Sequence, residues 1–248
     1  MKKGILLVLA AMAAFVIDSC TPGELEYETI SSPPSIKITA PASVVAGSST
    51  ALSATVSDGQ VTPLTEGTIT LRSGATVVST NKQTAAGGSL TLSIAGSVVS
   101  ALNPGTYKLE VSAKDNANQT TSASADVAIS CEALASCKQA GKTTVVVITP
   151  SVTPADAKIG LVGSLTGWGS DILMTKIANN CYCAAVTFTD GTEFKFRRSQ
   201  NAAGNPDWTW VEKNATCGEV DNRKQDAAPD KTLTFTVLNW RNTGTCPD

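Results

Sequence analysis

Short segments that alternate apolar and polar residues follow one another along most of the chain. Alternation with a period of two places the apolar side chains on one face of a β-strand. Turn residues separate the segments, for example Ala46-Gly-Ser48, Ser57-Asp-Gly59 and Ala86-Gly-Gly88. Short strands at this spacing are typical of antiparallel sandwiches, so we predict an all-β fold. The predicted strands comprise residues 35–39, 50–56, 67–72, 89–94, 105–112 and 124–129, then 143–149, 158–163, 181–188, 192–197, 208–211 and 233–237.

The composition changes near residue 130. The part before it contains no tryptophan and, after Cys20, no cysteine, whereas the part after it contains all four tryptophans and six cysteines. The chain has room for two domains of about 100 residues each. We therefore predict two antiparallel β-sandwich domains, at residues 34–130 and 143–248, joined by a polar linker at residues 131–142.

The first 20 residues carry the features of an export signal. A basic segment, Met1–Gly4, precedes an apolar segment, Ile5–Ile17, which is shorter than the roughly 20 residues of a transmembrane helix. The apolar run ends in Ile17-Asp-Ser-Cys20, which resembles the lipobox of bacterial lipoproteins in the relaxed form of Bacteroidetes. The resemblance implies removal of residues 1–19 and lipidation of Cys20, which would anchor the protein in the outer membrane. The alternative is an ordinary signal peptide cut near Ser19, with Cys20 incidental.

Residues 20–33 are predicted to form a flexible tether. The segment Thr21–Glu28 is acidic and rich in turn residues. An acidic patch directly after the lipidated cysteine also resembles the surface-export signal of Bacteroidetes lipoproteins, which implies exposure at the cell surface.

The six remaining cysteines predict three disulfides, since their number is even and an exported protein folds in an oxidising compartment. A zinc site or a catalytic cysteine is a poor alternative because the chain has no histidine. Cys181 and Cys183 point to the same face of a predicted strand, so we expect each to bond to a different partner. Cys131 and Cys137 either bond each other or staple the linker to the second domain. The six cysteines are Cys131, Cys137, Cys181, Cys183, Cys217 and Cys246.

The charged residues exclude several classes of function. A formal net charge of −2 creates no strong field for nucleic acid or an acidic membrane. A glycosidase needs two placed carboxylates, and nothing in the sequence pairs Glu193, Asp207 and Glu212. A Ser-His-Asp triad is excluded because histidine is absent. We therefore expect a non-catalytic protein without a metal or a cofactor.

Three of the four tryptophans lie within residues 161–214 of a chain that has only 5% aromatic residues. Flat rings give a large apolar contact at low entropic cost, so this concentration beside Lys and Arg predicts a surface that stacks on sugars. Trp168, in a glycine-rich loop, is the best candidate for an exposed ring, and the alternative is a plug over one end of the sandwich. Trp240, after the last strand, is expected to be structural.

Alternation also assigns faces in the predicted strand at residues 192–197. Phe194 and Phe196 share one face and are expected in the core. Glu193, Lys195 and Arg197 share the other face, which is directed to solvent or to a ligand.

The predicted strand at residues 208–211 brings Trp208 and Trp210 onto one face, together with Glu212. A charge on this face argues that it is partly wet. Since large aromatic residues usually help to fill a small sandwich, we expect one of the two tryptophans to be buried.

Two resemblances to known families follow. The segment Pro104–Asp115, Pro-Gly-Thr-Tyr-Lys-Leu-Glu-Val-Ser-Ala-Lys-Asp, resembles the last hairpin of bacterial immunoglobulin-like domains. The resemblance implies an immunoglobulin-like first sandwich, and because this domain shows no residues suited to chemistry, we expect it to be a spacer or docking module. In the second half, three motifs follow one another in the order found in starch-binding modules of the family 20 type. They are Leu161-Val-Gly-Ser-Leu-Thr-Gly-Trp-Gly169, Glu193-Phe-Lys-Phe196 and Asp207-Trp-Thr-Trp-Val-Glu-Lys-Asn214. The order is more similar still to the C-terminal modules of SusE/SusF-like surface lipoproteins, although those are not generally rich in cysteine and often carry more than one module.

The second resemblance implies a cell-surface lipoprotein that captures starch-like α-glucan for an uptake system, in a possible complex with an outer-membrane transporter. Trp168 and one of Trp208 and Trp210 would form a curved platform for the glucan, and Lys195 would donate hydrogen bonds to sugar hydroxyls. Arg197, on the same strand face, is a further candidate. The alternative is a structural or protein-interaction lipoprotein, such as a transporter accessory or an adhesin, that uses the tryptophans as interface residues.

Overall fold

The alternating segments form β-sandwiches in the structure, a computed structural model that describes residues 31–247. The all-β prediction is confirmed. The predicted signal peptide, Cys20 and the tether up to residue 30 lie outside the described residues. The first sandwich is built from β1 (Ser35–Ile38), β2 (Ser43–Val45), β3 (Leu52–Ser57), β4 (Leu64–Ser73), β5 (Thr76–Thr84), β6 (Ser89–Ile94), helix α1 (Gly96–Ser100), β7 (Gly105–Asp115) and β8 (Thr120–Ser130).

Two sheets face each other in this first sandwich. One has the order β1-β3-β6 and the other the order β2-β8-β7-β4-β5. Every second residue of β3 is buried, as the alternation predicts, and Leu52, Ala54 and Val56 pack with Ile69 and Leu109 of the opposite sheet. Strand β2 pairs with β8 in parallel, so this sheet is mixed rather than purely antiparallel.

Strand β5 is missing from the sequence prediction because it lies at the edge of its sheet and leaves most of its side chains exposed. Its side-chain amides reach the other sheet. Asn81 Nδ2 donates a hydrogen bond to the carbonyl of Ser93 (3.0 Å), and Gln83 Nε2 donates to that of Thr91 (3.4 Å). Both carbonyls belong to β6, the edge strand opposite, so the two neighbouring sheet edges are joined by side-chain amides.

The second sandwich follows from residue 143. It contains β9 (Thr143–Ile148), β10 (Ile159–Gly163), β11 (Ile172–Leu173), β12 (Thr175–Ala178), β13 (Cys181–Val186), β14 (Thr192–Arg198), β15 (Glu212–Lys213), β16 (Arg223–Gln225), β17 (Thr232–Thr236) and β18 (Asn239–Trp240). Its two main sheets have the orders β11-β10-β14-β16 and β12-β13-β9-β17, and β17 runs parallel to β9. Strands β15 and β18 form a separate pair.

Aromatic rings fill the core of the second sandwich. Phe194 and Phe196 are fully buried, as predicted, and both pack against Phe235. Trp240 is also fully buried, and its indole N–H donates a hydrogen bond to Thr153 Oγ1 (2.8 Å). The buried cluster of this sandwich shares no residue with that of the first.

The three predicted disulfides form, and their pairing decides between the two alternatives for the linker. Cys131 bonds to Cys181 and Cys137 to Cys183, so the linker is stapled to β13 rather than closed on itself. Cys181 and Cys183 thus have different partners, as expected. The third disulfide, Cys217–Cys246, lies within the second sandwich.

A polar contact between the sandwiches lies beside these disulfides. The turn between β12 and β13 carries Asn179 and Asn180, which point to the first sandwich. Asn179 Nδ2 donates to the carbonyl of Ala101 (2.7 Å), and Asn180 Nδ2 donates to Asn103 Oδ1 (2.9 Å). The disulfides therefore fix the linker to the second sandwich, and these two hydrogen bonds run directly between the sandwiches.

The described residues contain no helix with the length and apolar character needed to cross a bilayer.

Candidate functional site

The loop that follows β10 gives Trp168 a fixed direction. Strand β10 ends at Gly163, a 3-10 turn covers Ser164–Thr166, and both Gly167 and Trp168 then have left-handed backbone angles, with φ of 61° and 60°. This conformation is unfavourable for a tryptophan by about 1–3 kcal/mol, so the loop must impose it. Trp168 N donates to the carbonyl of Gly163 (3.0 Å), and Thr166 Oγ1 accepts from Gly163 N (3.2 Å). The Trp168 ring is half-buried.

The predicted strand at residues 208–211 is wrong: Trp208–Trp210 form a 3-10 turn. Asp207 caps this turn, since its Oδ1 accepts a hydrogen bond from Thr209 N (2.7 Å). Such a local side-chain bond competes with strand pairing. Residues two apart in a 3-10 turn point in different directions, so Trp208 and Trp210 do not share a face.

The prediction that Glu212 marks a partly wet face is also wrong. Only 1% of Glu212 is exposed. Its carboxylate accepts a hydrogen bond from Phe196 N (2.9 Å) and forms an ion pair with Arg223 (2.7 Å). Glu212 therefore belongs to the structural support of β14.

The two tryptophans of the turn pack on consecutive arginines at the end of β14. The guanidinium carbon of Arg197 lies 4.9 Å from the centroid of the Trp208 ring, and that of Arg198 lies 5.5 Å from the Trp210 ring. Consecutive strand residues point to opposite faces, so the two rings lie on opposite sides of the strand. Neither is fully buried, contrary to the prediction, since Trp208 is 41% exposed and Trp210 is half-buried.

The sequence predicts that Arg197 faces solvent or a ligand, but in the structure most of its side chain is buried. It is only 4% exposed, and its Nε and Nη2 donate to the two carboxylate oxygens of Asp171, both at 2.8 Å. Gly160, its neighbour across the sheet, leaves the space that Asp171 occupies. Arg197 thus packs against the Trp208 ring, and Asp171 neutralises its positive charge.

Trp168 and Trp208 come together above this ion pair. Their ring centroids are 6.2 Å apart, and the ring planes are inclined by 30°. The centroid separation exceeds the ~3.5–4.0 Å expected for rings stacked directly face to face. The two rings are therefore offset and overlap only in part. The pair offers a two-ring aromatic surface, part of which is open to solvent.

Lys195 lies two residues before Arg197 on the same strand and is half-buried. Within residues 31–247 its ammonium group has no hydrogen bond or ion pair. Glu193, on the same face, is occupied differently. Hydrogen bonds from Asn222 (3.0 Å) and Lys224 (3.1 Å) lower the pKa of Glu193, which is the opposite of what a general acid needs.

A shallow cleft of about 270 Å³ opens beside the tryptophan pair. It is lined by Gly169, Asp171 and Asn205, and the exposed side chain of Leu173 forms part of its wall. Arg197 lines it as well. A larger cleft of about 380 Å³ lies on the first sandwich, over the small polar side chains of β4, β7 and β8. We place the candidate site at the smaller cleft because its lining residues Gly169 and Pro206 adjoin Trp168 and the exposed Trp208 in the chain.

Of the residues that the sequence predicts for the site, the structure places Trp168 and Trp208 together. It separates Trp210 from them. It adds Asp171, which the sequence analysis did not select because its partner, Arg197, is 26 residues away. The capping pattern Pro206-Asp207 before the first tryptophan is a local signal for the turn.

No protein-family model and no curated protein matches the chain. Among solved structures, a 1.5-MDa bacterial ice-binding adhesin is similar at 16% identity, with 71% of this chain and 62% of that chain covered and a TM-score of 0.24. A tetra-tandem repeat from the extending region of a large adhesion protein is similar at 16% identity, with 70% and 46% covered and a TM-score of 0.31.

A third similar structure is SGBP-B of the Bacteroides ovatus mixed-linkage glucan utilization locus, in complex with a mixed-linkage heptasaccharide. The identity is 13%, 78% of this chain and 47% of that chain are covered, and the TM-score is 0.21. The chain spans less than two thirds of the length of each of these three structures. At such low TM-scores the likenesses carry no argument about function, and no family assignment follows.

Proposed function

We propose that this protein is a non-catalytic glycan-binding protein whose Trp168–Trp208 pair stacks on sugar rings. The observation that carries the proposal is the exposure of Trp208 on a rigid support. Its ring is 41% exposed, while the Arg197–Asp171 ion pair that backs it is buried. A ring held in place before binding loses little conformational entropy when a flat ligand arrives.

Polar groups around the rings supply hydrogen bonds. The ammonium group of Lys195, which has no partner within residues 31–247, offers three donors on the same strand face as Arg197. Asn205 and Ser170 line the adjacent cleft. An aromatic surface with a few polar groups beside it is the usual composition of a small-ligand site.

The carboxylates near this site are not arranged as a glycosidase mechanism requires. Hydrolysis needs two carboxyl groups placed across one bond. The three carboxylates that the sequence raised are engaged elsewhere: Glu193 with Lys224, Glu212 with Arg223, and Asp207 with the backbone of Thr209. Binding without hydrolysis therefore fits these residues best.

The biological setting is part of the proposal. We propose a lipid anchor at Cys20, placement on the outer membrane and exposure at the cell surface, on the basis of the lipobox-like segment. We propose starch-like α-glucan as the ligand and an outer-membrane transporter as a partner, on the resemblance to SusE/SusF-like modules. Modest affinity would gain from many copies on one surface.

Affinity electrophoresis in gels that contain starch, glycogen or a β-glucan tests the proposal. We expect the full chain to be retarded by at least one polysaccharide. Trp208→Ala and Trp168→Ala should each weaken binding by about tenfold or more, since one stacked ring contributes about 1–2 kcal/mol. Lys195→Ala should weaken it less, by loss of one hydrogen bond to a hydroxyl.

The control is Leu238→Ala, which removes an exposed apolar side chain of the same sandwich outside the site. We expect its retardation to match that of the unmodified chain. No retardation on any polysaccharide, or retardation that survives both tryptophan substitutions, would reject glycan binding at this pair and favour the protein-interaction alternative.

A further inference from the structure

We propose that Arg198 and Trp210 form a second binding site, for a carboxylate-bearing sugar of the uronic acid class. This site lies on the side of β14 opposite to Trp208, and it does not depend on glycan binding by the Trp168–Trp208 pair. Trp210 packs against Arg198 and takes no part in the first aromatic pair.

Arg198 is a buried cation that makes no direct ion pair within residues 31–247, although the charge of Asp207 lies near it. It is 4% exposed, and in the described part of the chain it forms no ion pair. Its one side-chain hydrogen bond runs from Nη1 to the carbonyl of Ser199 (3.0 Å). Its neighbour Arg197, by contrast, is paired with both oxygens of Asp171. A buried charge without a partner is unfavourable, so Arg198 retains unused capacity to bind an anion.

The free donors of Arg198 lie on one edge of the guanidinium group. Nε is buried and unpaired; within residues 31–247 only Asp115 Oδ2 shares this condition. Among the described residues Nη2 has no hydrogen-bond partner either, and it is not fully buried. Nε and Nη2 together form the edge that accommodates a carboxylate through two parallel hydrogen bonds. The vacant edge therefore fits a carboxylate better than a hydroxyl.

Trp210 adds the apolar half of the site. Its ring is half-exposed, and the Arg198 guanidinium carbon lies 5.5 Å from the ring centroid. A uronic acid presents both a carboxylate and the flat C–H face of a sugar ring, whereas an acidic peptide presents only the carboxylate. Because Nε is buried, a carboxylate oxygen reaches it only after a local rearrangement, and we expect the Trp210 ring, which packs on the same guanidinium group, to move with it. Binding should therefore change the fluorescence of Trp210.

Asp207 is the charge that opposes an incoming anion. Burial lowers the pKa of Arg198, and the nearby negative charge of Asp207 partly offsets this effect. Asp207 Oδ1 also caps the Trp208–Trp210 turn. Asparagine caps a turn about as well as aspartate, so Asp207→Asn removes the charge and keeps the turn.

The test is a calorimetric titration of the full chain with trigalacturonate at low ionic strength, with uncharged maltotriose as the matched neutral ligand. Maltotriose belongs to the ligand class proposed for the Trp168–Trp208 pair, so Arg198 substitutions should leave its binding unchanged. We expect Arg198→Gln and Arg198→Lys each to weaken trigalacturonate binding by about tenfold or more. Glutamine removes the charge, and lysine keeps the charge but lacks the two parallel N–H donors of the guanidinium group. Asp207→Asn should strengthen it by roughly threefold as a like charge is removed. Trp210→Phe should abolish the fluorescence change on binding.

The control is Arg72→Gln, which removes a half-exposed arginine of the first sandwich and should leave trigalacturonate binding unchanged. The proposal is overturned if trigalacturonate does not bind, if both Arg198 variants bind it normally, or if Asp207→Asn weakens it. It is also overturned if a short acidic peptide competes as well as trigalacturonate, since the site would then recognise a protein carboxylate. Each of these outcomes is separate from retardation by neutral polysaccharides, which depends on Trp208.

Discussion

Gly160 leaves the space that the carboxylate of Asp171 fills. A Cβ atom built on Gly160 would lie 2.5 Å from Asp171 Oδ1, far closer than non-bonded atoms approach. Asp171 binds Arg197, and Arg197 packs against the Trp208 ring. The absence of a side chain at Gly160 therefore affects the position of an aromatic ring in the candidate site.

Gly160→Ala should therefore displace Asp171 and loosen the support of Trp208. We expect a loss of about 1–3 kcal/mol in the free energy of unfolding, as for other overpacked positions. Urea unfolding followed by tryptophan fluorescence measures it, since all four tryptophans lie after residue 130. Gly244→Ala is the control, because a Cβ there meets no atom within 4 Å. Equal stability of the two variants would contradict the close packing described.

Asp171→Ala should be more damaging than the loss of an exposed ion pair. It leaves the buried Arg197 guanidinium unpaired, for which about 3–5 kcal/mol is expected. Lys224→Ala breaks the exposed Lys224–Glu193 pair of the same sandwich and should change stability far less, because solvent screens this pair. The same fluorescence-detected unfolding compares them, and similar losses would show that the Arg197–Asp171 pair is not effectively desolvated.

Removal of both disulfides at the joint should let the two sandwiches move relative to each other. The change replaces Cys131, Cys137, Cys181 and Cys183 with alanine, which leaves non-covalent contacts such as the hydrogen bonds of Asn179 and Asn180 across the joint. We expect small-angle X-ray scattering to show a broader distribution of interatomic distances, and proteases to cut within residues 131–142. Replacement of Cys217 and Cys246 is the control, since that disulfide lies within one sandwich. Unchanged scattering of the joint variant would mean that non-covalent contacts suffice.

Tyr182 should make the protein less stable at high pH. Burial raises the pKa of Tyr182 from 10.0 to about 12, with a smaller contribution from the charge of Asp156. Between these values the unfolded chain loses the tyrosine proton while the folded chain keeps it, so the free energy of unfolding falls as pH rises above 10. Below that pH the proton is bound in both states and the stability is retained.

Spectrophotometric titration of the tyrosines and urea unfolding at several alkaline pH values check this effect. Tyr182→Phe should remove the latest step of the titration and flatten the decline of stability above pH 10. If the variant and the unmodified chain lose stability in parallel, the decline has another origin.

The alternation of residue types predicts much of the fold because one face of each interior strand is buried. Leu52, Ala54 and Val56 alternate as expected and are buried as expected. Edge strands escape this logic, since β5 has no buried face to produce a pattern. The segment at Trp208 misled the prediction for a different reason: the Asp207 cap makes a local hydrogen bond that a periodicity argument does not include.

Contacts between distant residues account for what the sequence left open at the site. The face of Arg197 is predictable from alternation, but its burial depends on Asp171, Gly160 and the Trp208 ring together. The sequence also left the disulfide pairing open, because an even number of cysteines does not specify which cysteines bond to each other. Long-range partners are fixed by the topology, which a single sequence does not state.

The amide contacts between β5 and β6 have a consequence for crowded conditions. An open strand edge offers its carbonyls to any extended chain, which is how sheets of separate molecules add to one another and aggregate. Asn81 and Gln83 occupy the carbonyls of Ser93 and Thr91 within the same molecule. Self-association along this edge would first have to displace both amides, so many copies can be packed side by side at high concentration while this edge stays protected.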